Sequence, residues 1–285
     1  MNTRFETSAD LFRVISIAML VGVAVPAVAD SQVGGSARIQ VKSDNVVGAS
    51  IGAATQNRLR AGSVVDSRIG SDTEISLKSR NVVGAAIGAG VRNEVNLGSI
   101  VKSRAGGSAN INLNTQNVVG TGIGAGVDAR LNAASVRNSR AGGDVSISVN
   151  TRNLVNAGIG AGVKASLNVG AVDNSRVGGD VKINVNTRNV VNAVVGAGVM
   201  GNVNVGSVKN AVVGGDANIN VTTGDVINGV AGAGIKGSVN IGSVKNTGVG
   251  GDANINVTTG SVVNASFGVP GFGVQNDVNI GNIGH

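Results

Sequence analysis

Apolar and polar positions alternate in short runs along this chain, and the runs return every 36 residues. Ile183 and Val185 alternate with Lys182, Asn184 and Asn186, and the same columns hold Ile39/Val41, Ile75/Leu77, Ile111/Leu113, Ile147/Val149, Ile219/Val221 and Ile255/Val257. Period-2 alternation rich in β-branched side chains predicts half-buried strands. Gly and Asn recur too often for a helix to form anywhere in these stretches. The unit repeats without a gap as 34–69, 70–105, 106–141, 142–177, 178–213, 214–249 and 250–285, each copy opening on a glycine. Self-similarity at a fixed period means that each unit buries its apolar side against its neighbours.

The consensus runs G-G-D-x-x-I-x-V-N-T-x-N-V-V-N-x-x-I and then G-A-G-V-x-x-x-V-N-V-G-S-V-x-N-S-x-V. Its halves share a leading Gly, aliphatics at positions 8, 13 and 18, and Asn at 15. The expected fold is therefore all-β: a parallel β-solenoid of about fourteen 18-residue coils with a β-arch type cross-section. Each coil carries strands at positions 4–10 and 13–18, separated by corners such as Gly178-Gly179-Asp180 and Gly196-Ala197-Gly198. At about 4.8 Å per coil the rod is roughly 65 Å long. Ile39, Ile75, Ile111, Ile147, Ile183, Ile219 and Ile255 form an interior ladder. Asn156, Asn174, Asn192, Asn210, Asn228, Asn246 and Asn264 form a second column. It is open to two readings, a buried amide ladder or a run of turn residues.

The ends depart from this regularity. Arg4 and Arg13, the apolar run 14–25, Pro26 and the small-residue site Ala27-Val28-Ala29 have the layout of a secretory signal peptide over 1–29. A short lead-in, 30–33, precedes the repeat domain, 34–285. The apolar run is too short to span a bilayer, and no other segment is long and apolar enough. Gly48, Asp66, Gly84 and Lys102 replace the consensus Asn in the first two repeats, while Val269-Pro270-Gly271-Phe272 interrupts the last. Atypical end coils either stop a stack or dock a partner.

Composition narrows the chemistry. The 285 residues include no Cys, Trp or Tyr and four Phe, so the fold relies on neither disulfides nor an aromatic core. The only His is His285, which leaves no candidate for His-based acid–base or triad chemistry. No catalytic residue, cofactor or metal ligand is assigned, and the chain reads as a non-enzyme. Asp144, Asp180, Asp216 and Asp252 recur once per two 18-residue coils, about 10 Å apart, too sparse for the six to eight oxygens of Ca²⁺. The net charge of +7 permits contact with anionic polysaccharide or extracellular DNA, although interleaved acids also fit a solvated mixed-charge surface. Arg68, Arg104, Arg140 and Arg176 form a basic column, which Arg152, Arg188, Lys164, Lys209, Lys236 and Lys245 extend towards a stripe. Without aromatics to stack bases, specific nucleic-acid recognition has no support. Thr115, Thr151, Thr187, Thr223 and Thr259 form a sparse column of the kind an ice-binding face would carry.

The stretches from Leu167-Asn168-Val169-Gly170 to Asn174 and from Val203-Asn204-Val205-Gly206 to Asn210 resemble curlin repeats, those of the secreted subunits of bacterial curli fibres. The chain departs from that family in using Asn where curlins favour Gln, in a shorter coil, in its basic charge and in its lack of Tyr. The resemblance implies export to the outer surface and nucleated polymerisation into an amyloid-like matrix fibre. The expected function is an exported structural subunit, secreted or on the bacterial cell surface, whose rods self-associate edge to edge. The alternative is a monomeric adhesin or polysaccharide-binding solenoid with capped ends.

Overall fold

Residues meet their equivalents 36 positions along the chain: Ile111 pairs with Ile147, which pairs with Ile183. A computed structural model describes residues 28–29, 32–51, 56–268 and 273–284. Over these the chain winds as a parallel β-solenoid of about seven turns, with strands stacked in four sheets. The full repeat is the physical turn. The 18-residue half-repeat is not a coil, because no half pairs with the half that follows it. The rod is correspondingly shorter, roughly 34 Å at one strand spacing per turn.

The turn at 142–177 shows the path. One long strand, Val145–Ala161, runs through the break expected near position 11; a return strand, Lys164–Val169, and two short strands, Val172–Asp173 and Arg176–Val177, close the turn. The long strand bends at Arg152: the ladder skips the Gln116–Arg152 pair, and burial shifts phase between Thr151 and Leu154, so that both point inward. Beyond the bend the strand and its return strand lie face to face as a flat arch. Its tip requires glycine, because Gly160 has φ 140° and a Cβ there would strike the carbonyl of Gly124 one turn away.

Two apolar cores result. The larger lies between the first half of the long strand, the return strand and the short strands. It holds Ile75, Ile111, Ile147, Ile183 and Ile219 at no more than 1% exposure, with Ile39 and Ile255 packed against it at the ends. The smaller fills the arch with Val91, Val127, Val163, Val199 and Ile235. An amide ladder separates them. Asn156 Nδ2 donates to Asn192 Oδ1 (3.0 Å), Asn192 to Asn228 (2.8 Å) and Asn228 to Asn264 (2.9 Å).

The expected single Asn column thus divides in two. Asn156, Asn192, Asn228 and Asn264 form the interior ladder, whereas Asn174, Asn210 and Asn246 lie on another edge of the rod as left-handed corner residues, each at φ 48°. The acids also sit closer than the half-coil implied. Asp144, Asp180, Asp216 and Asp252 are one strand apart, and each N–H from Asp180 onward donates to the preceding Asp Oδ1 at 2.8–2.9 Å.

The ends differ from the expected boundaries. Gln32–Val33 pairs with Arg68–Ile69, and Val28–Ala29 with Val64–Val65, so strand pairing begins upstream of residue 34. The rest of the expected signal peptide and the Pro270–Phe272 interruption lie outside the described residues. Beyond that interruption the register lengthens to 39, with Val239 against Val278 and Val244 against Ile283. The final repeat therefore stays in phase up to Gly268, and only its return and short strands are three residues out of phase with the first six.

Candidate interaction surfaces

Arginine columns form where a short strand presents the same outward residue in every turn. Arg68, Arg104, Arg140 and Arg176 stack in register and are exposed. None of the ion pairs among the described residues involves them. They flank a groove of about 700 Å³, whose far side carries Asp66, Lys102, Asn138, Asn174 and Asn210. Between the two rims runs a serine ladder: the N–H of Ser103 donates to Ser139 Oγ at 3.1 Å, and that of Ser139 to Ser175 Oγ at 3.2 Å. The groove carries five cations and one acid. The column ends where Val212 and then Gly248 take the same place.

The remaining bases do not extend this column into one stripe. Arg152 and Arg188 lie at the bend of the long strand, Lys164 and Lys236 on the return strand, and Lys209 and Lys245 on the other short strand. The threonine column faces inward: Thr115, Thr151, Thr187 and Thr223 are buried to 5% exposure or less, which removes the flat exposed face that an ice-binding surface requires. Among the described residues no three His, Cys, Asp or Glu side chains come together as a metal cluster.

Two features escape the half-repeat reading. One is a second amide ladder on the return strand, in which Asn132, Asn168, Asn204 and Asn240 each donate to the preceding Asn at 2.8–2.9 Å. Its signal was available, since an Asn stands at that place in every full repeat from Asn96 onward.

The other is the outer face of the arch. Before the bend, outward positions are polar, as in Asn110, Asn112 and Asn114. After it they become Val83, Ala85 and Ile87, then Val119, Thr121 and Ile123, Val155, Ala157 and Ile159, and Val191, Ala193 and Val195. Ile87, Ile123, Ile159 and Val195 are 40–48% exposed, and Phe267 continues their column at 80%. The two halves share an aliphatic at position 18. The fold buries it only in the second, as at Val177, and exposes it in the first, as at Ile159.

No known protein family, curated protein or solved structure matches this chain.

Proposed function

We propose that the chain is an exported, non-enzymatic structural subunit, which builds extracellular or cell-surface fibres by stacking its rods end to end. The observation that carries this reading is the match between the terminal turns. Ala253, Ile255, Val257, Thr259 and Val262 stand in strands at one end of the long-strand sheet, and Ala37, Ile39, Val41, Ser43 and Val46 are their counterparts at the other. Setting one copy's last turn on another's first continues each of these columns with the same class of side chain. Edge N–H and C=O groups gain partners in the process. The curlin-like repeats support the same kind of assembly.

The joint also gives the leader a role. Val28–Ala29 and Ile283–Gly284 stand at opposite ends of one sheet, and in the stacked arrangement both would fall between Val244–Lys245 of one copy and Val64–Val65 of the next. Removal of residues 1–29 clears that place for Ile283–Gly284. Gln32–Val33 can then pair with Gly248–Val249. The chain starting at residue 30, incubated at neutral pH, is expected to grow filaments with a cross-β reflection at about 4.8 Å. The chain starting at residue 28 grows them more slowly. Val257→Lys, an inward charge in the terminal turn, stops growth while the circular dichroism stays that of β-structure. A wild-type rod that remains a soluble monomer for days at high concentration refutes the reading.

A second reading, a surface that holds an anionic polysaccharide, is favoured by the unpaired arginine column. Neighbouring like charges one strand apart repel by roughly 0.9 kcal/mol even in water. The turns do not need these charges, since Val212 and Gly248 occupy the same place. A polymer with one carboxylate per sugar could lie along the Arg row, its hydroxyls within reach of the Asn138, Asn174 and Asn210 amides. Affinity for a polyuronate should fall steeply with salt and drop about tenfold or more in Arg104→Ser/Arg140→Ser. Tighter binding of single-stranded DNA than of the polyuronate would refute the polysaccharide assignment.

A further inference from the structure

We infer that the outer face of the arch is an interface between two copies of this chain, which pair side by side through their Val-Ala-Ile rows. The outward column of the long strand changes from polar to apolar at the bend. From there on, its inward column mixes the amides of Asn156, Asn192 and Asn228 with buried Leu154, Val190, Val194, Val226 and Val230, while its outward column carries valine, alanine and isoleucine. A rod that stayed alone in water would gain nothing from that outward column, because apolar surface is stabilising only where it leaves water. The outward residues are placed where only another molecule can bury them.

The extent of the face and its relief both point to a second copy. Four outward rows, such as Val155, Ala157, Ile159 and Ala161, span about 20 Å along the strand, and the turns span about 30 Å along the rod, roughly 600 Å² in projection. That is at the upper end of the largest apolar patch on a typical monomer. Two such faces together cover about 1,200 Å², the lower bound of a stable specific interface. The rows alternate large and small. Related by a two-fold axis along the rod and offset by one row, the isoleucine ridge of each copy sits over the alanine trough of the other. This interdigitation of short side chains between paired sheets is that of a dry zipper. A lipid surface fits the face less well. Interfacial membrane contacts favour aromatic side chains, and Phe267 at one end is the single aromatic on these rows.

Pairing deepens the fibre reading by making each filament two rods wide, but it does not depend on end-to-end growth. Val257→Lys protein, blocked at its end, is expected to sediment at twice the chain mass, and addition of Ile123→Lys and Ile159→Lys to return it to the mass of one chain. Both lysines replace exposed side chains, so unchanged circular dichroism separates loss of pairing from loss of fold. An end-blocked protein that is monomeric at tens of micromolar overturns the inference. So does wild-type protein that binds phosphatidylcholine–phosphatidylglycerol vesicles as a monomer in preference to pairing. The two readings fail differently: long filaments one rod wide refute pairing alone, whereas paired rods that never elongate refute end stacking alone.

Discussion

Asn156 lies in register with Gly120 in the interior, and its buried Oδ1 has no hydrogen-bond donor, although its Nδ2 donates to Asn192. Each turn has two places facing the ladder, one on the long strand and one on the return strand. The first two turns fill the return-strand place, with Asn57 and Asn93 opposite Gly48 and Gly84. Turns four to six fill the long-strand place, with Asn156, Asn192 and Asn228 opposite Ala165, Gly201 and Gly237. The third turn, with Gly120 and Ala129, supplies no amide, and there the ladder changes sides.

Gly120→Asn should therefore stabilise the rod. A Cβ at Gly120 would lie 3.1 Å from Asn156 Oδ1 and 3.4 Å from Leu131 Cδ1, close contacts that a small side-chain shift relieves. The new Nδ2 would repeat the donation that Asn156 makes to Asn192. The gain is about 0.5–1.5 kcal/mol, read as a raised midpoint in urea. The same change at Gly84 should do the reverse, because its Cβ would collide with Val95 Cγ2 and approach Asn93 Oδ1. A loss of about 1–3 kcal/mol is expected there. Equal effects at the two sites would show that side-of-ladder complementarity has no energetic weight.

Gly196→Ala tests the tip of the arch. Gly196 has φ 150°, and an added Cβ would run into the carbonyl of Gly160 in the adjacent turn. The strain falls on backbone, which cannot move without disturbing the stack, so a loss of about 2–3 kcal/mol is expected on thermal or urea unfolding. An alanine tolerated here with no change in midpoint would mean that the tip does not hold this conformation.

At the left-handed corner the residue at φ near 50° is Asn in Asn138, Asn174, Asn210 and Asn246, but Lys in Lys102. Lysine has no local hydrogen bond to offset that conformation, and its side chain is exposed. Lys102→Asn should thus raise stability by about 0.5–1 kcal/mol without disturbing packing. An unchanged or lowered midpoint would count against the corner conformation at this turn.

The strand columns were legible because one face is buried: Ile111, Ile147 and Ile183 could only alternate as they do if they stacked. The halving failed on residues whose class has two uses. Asn156 and Asn174 hold matching places in the two halves, but one is a buried ladder amide and the other a left-handed corner, and asparagine suits both. Ile159 and Val177 likewise match in sequence, although one faces solvent. What separates them is the residue across the arch, such as Gly48 opposite Asn57 or Asn156 opposite Ala165, a small-for-large exchange nine positions apart that becomes readable only once the return strand is known to face the long one. The apolar outer face was hidden for the same reason, since alternation alone does not say which of two alternating sets points inward.

Deletions discriminate the 36-residue turn from an 18-residue coil. Removing 142–177 takes out one whole turn, after which Ile111 meets Ile183, Arg140 takes its place above Val212, and every sheet keeps its register. Removing 160–177 instead deletes the return strand and both short strands of that turn. The long strand 145–159 then runs directly into the next long strand, and Leu131 has no counterpart in the turn that follows. The first variant should retain the β-type circular dichroism and a cooperative transition, with a midpoint within a few degrees of the parent. The second should lose cooperativity or aggregate. An 18-residue coil predicts instead that both deletions are tolerated alike, so survival of the second variant as a folded rod would overturn the turn described here.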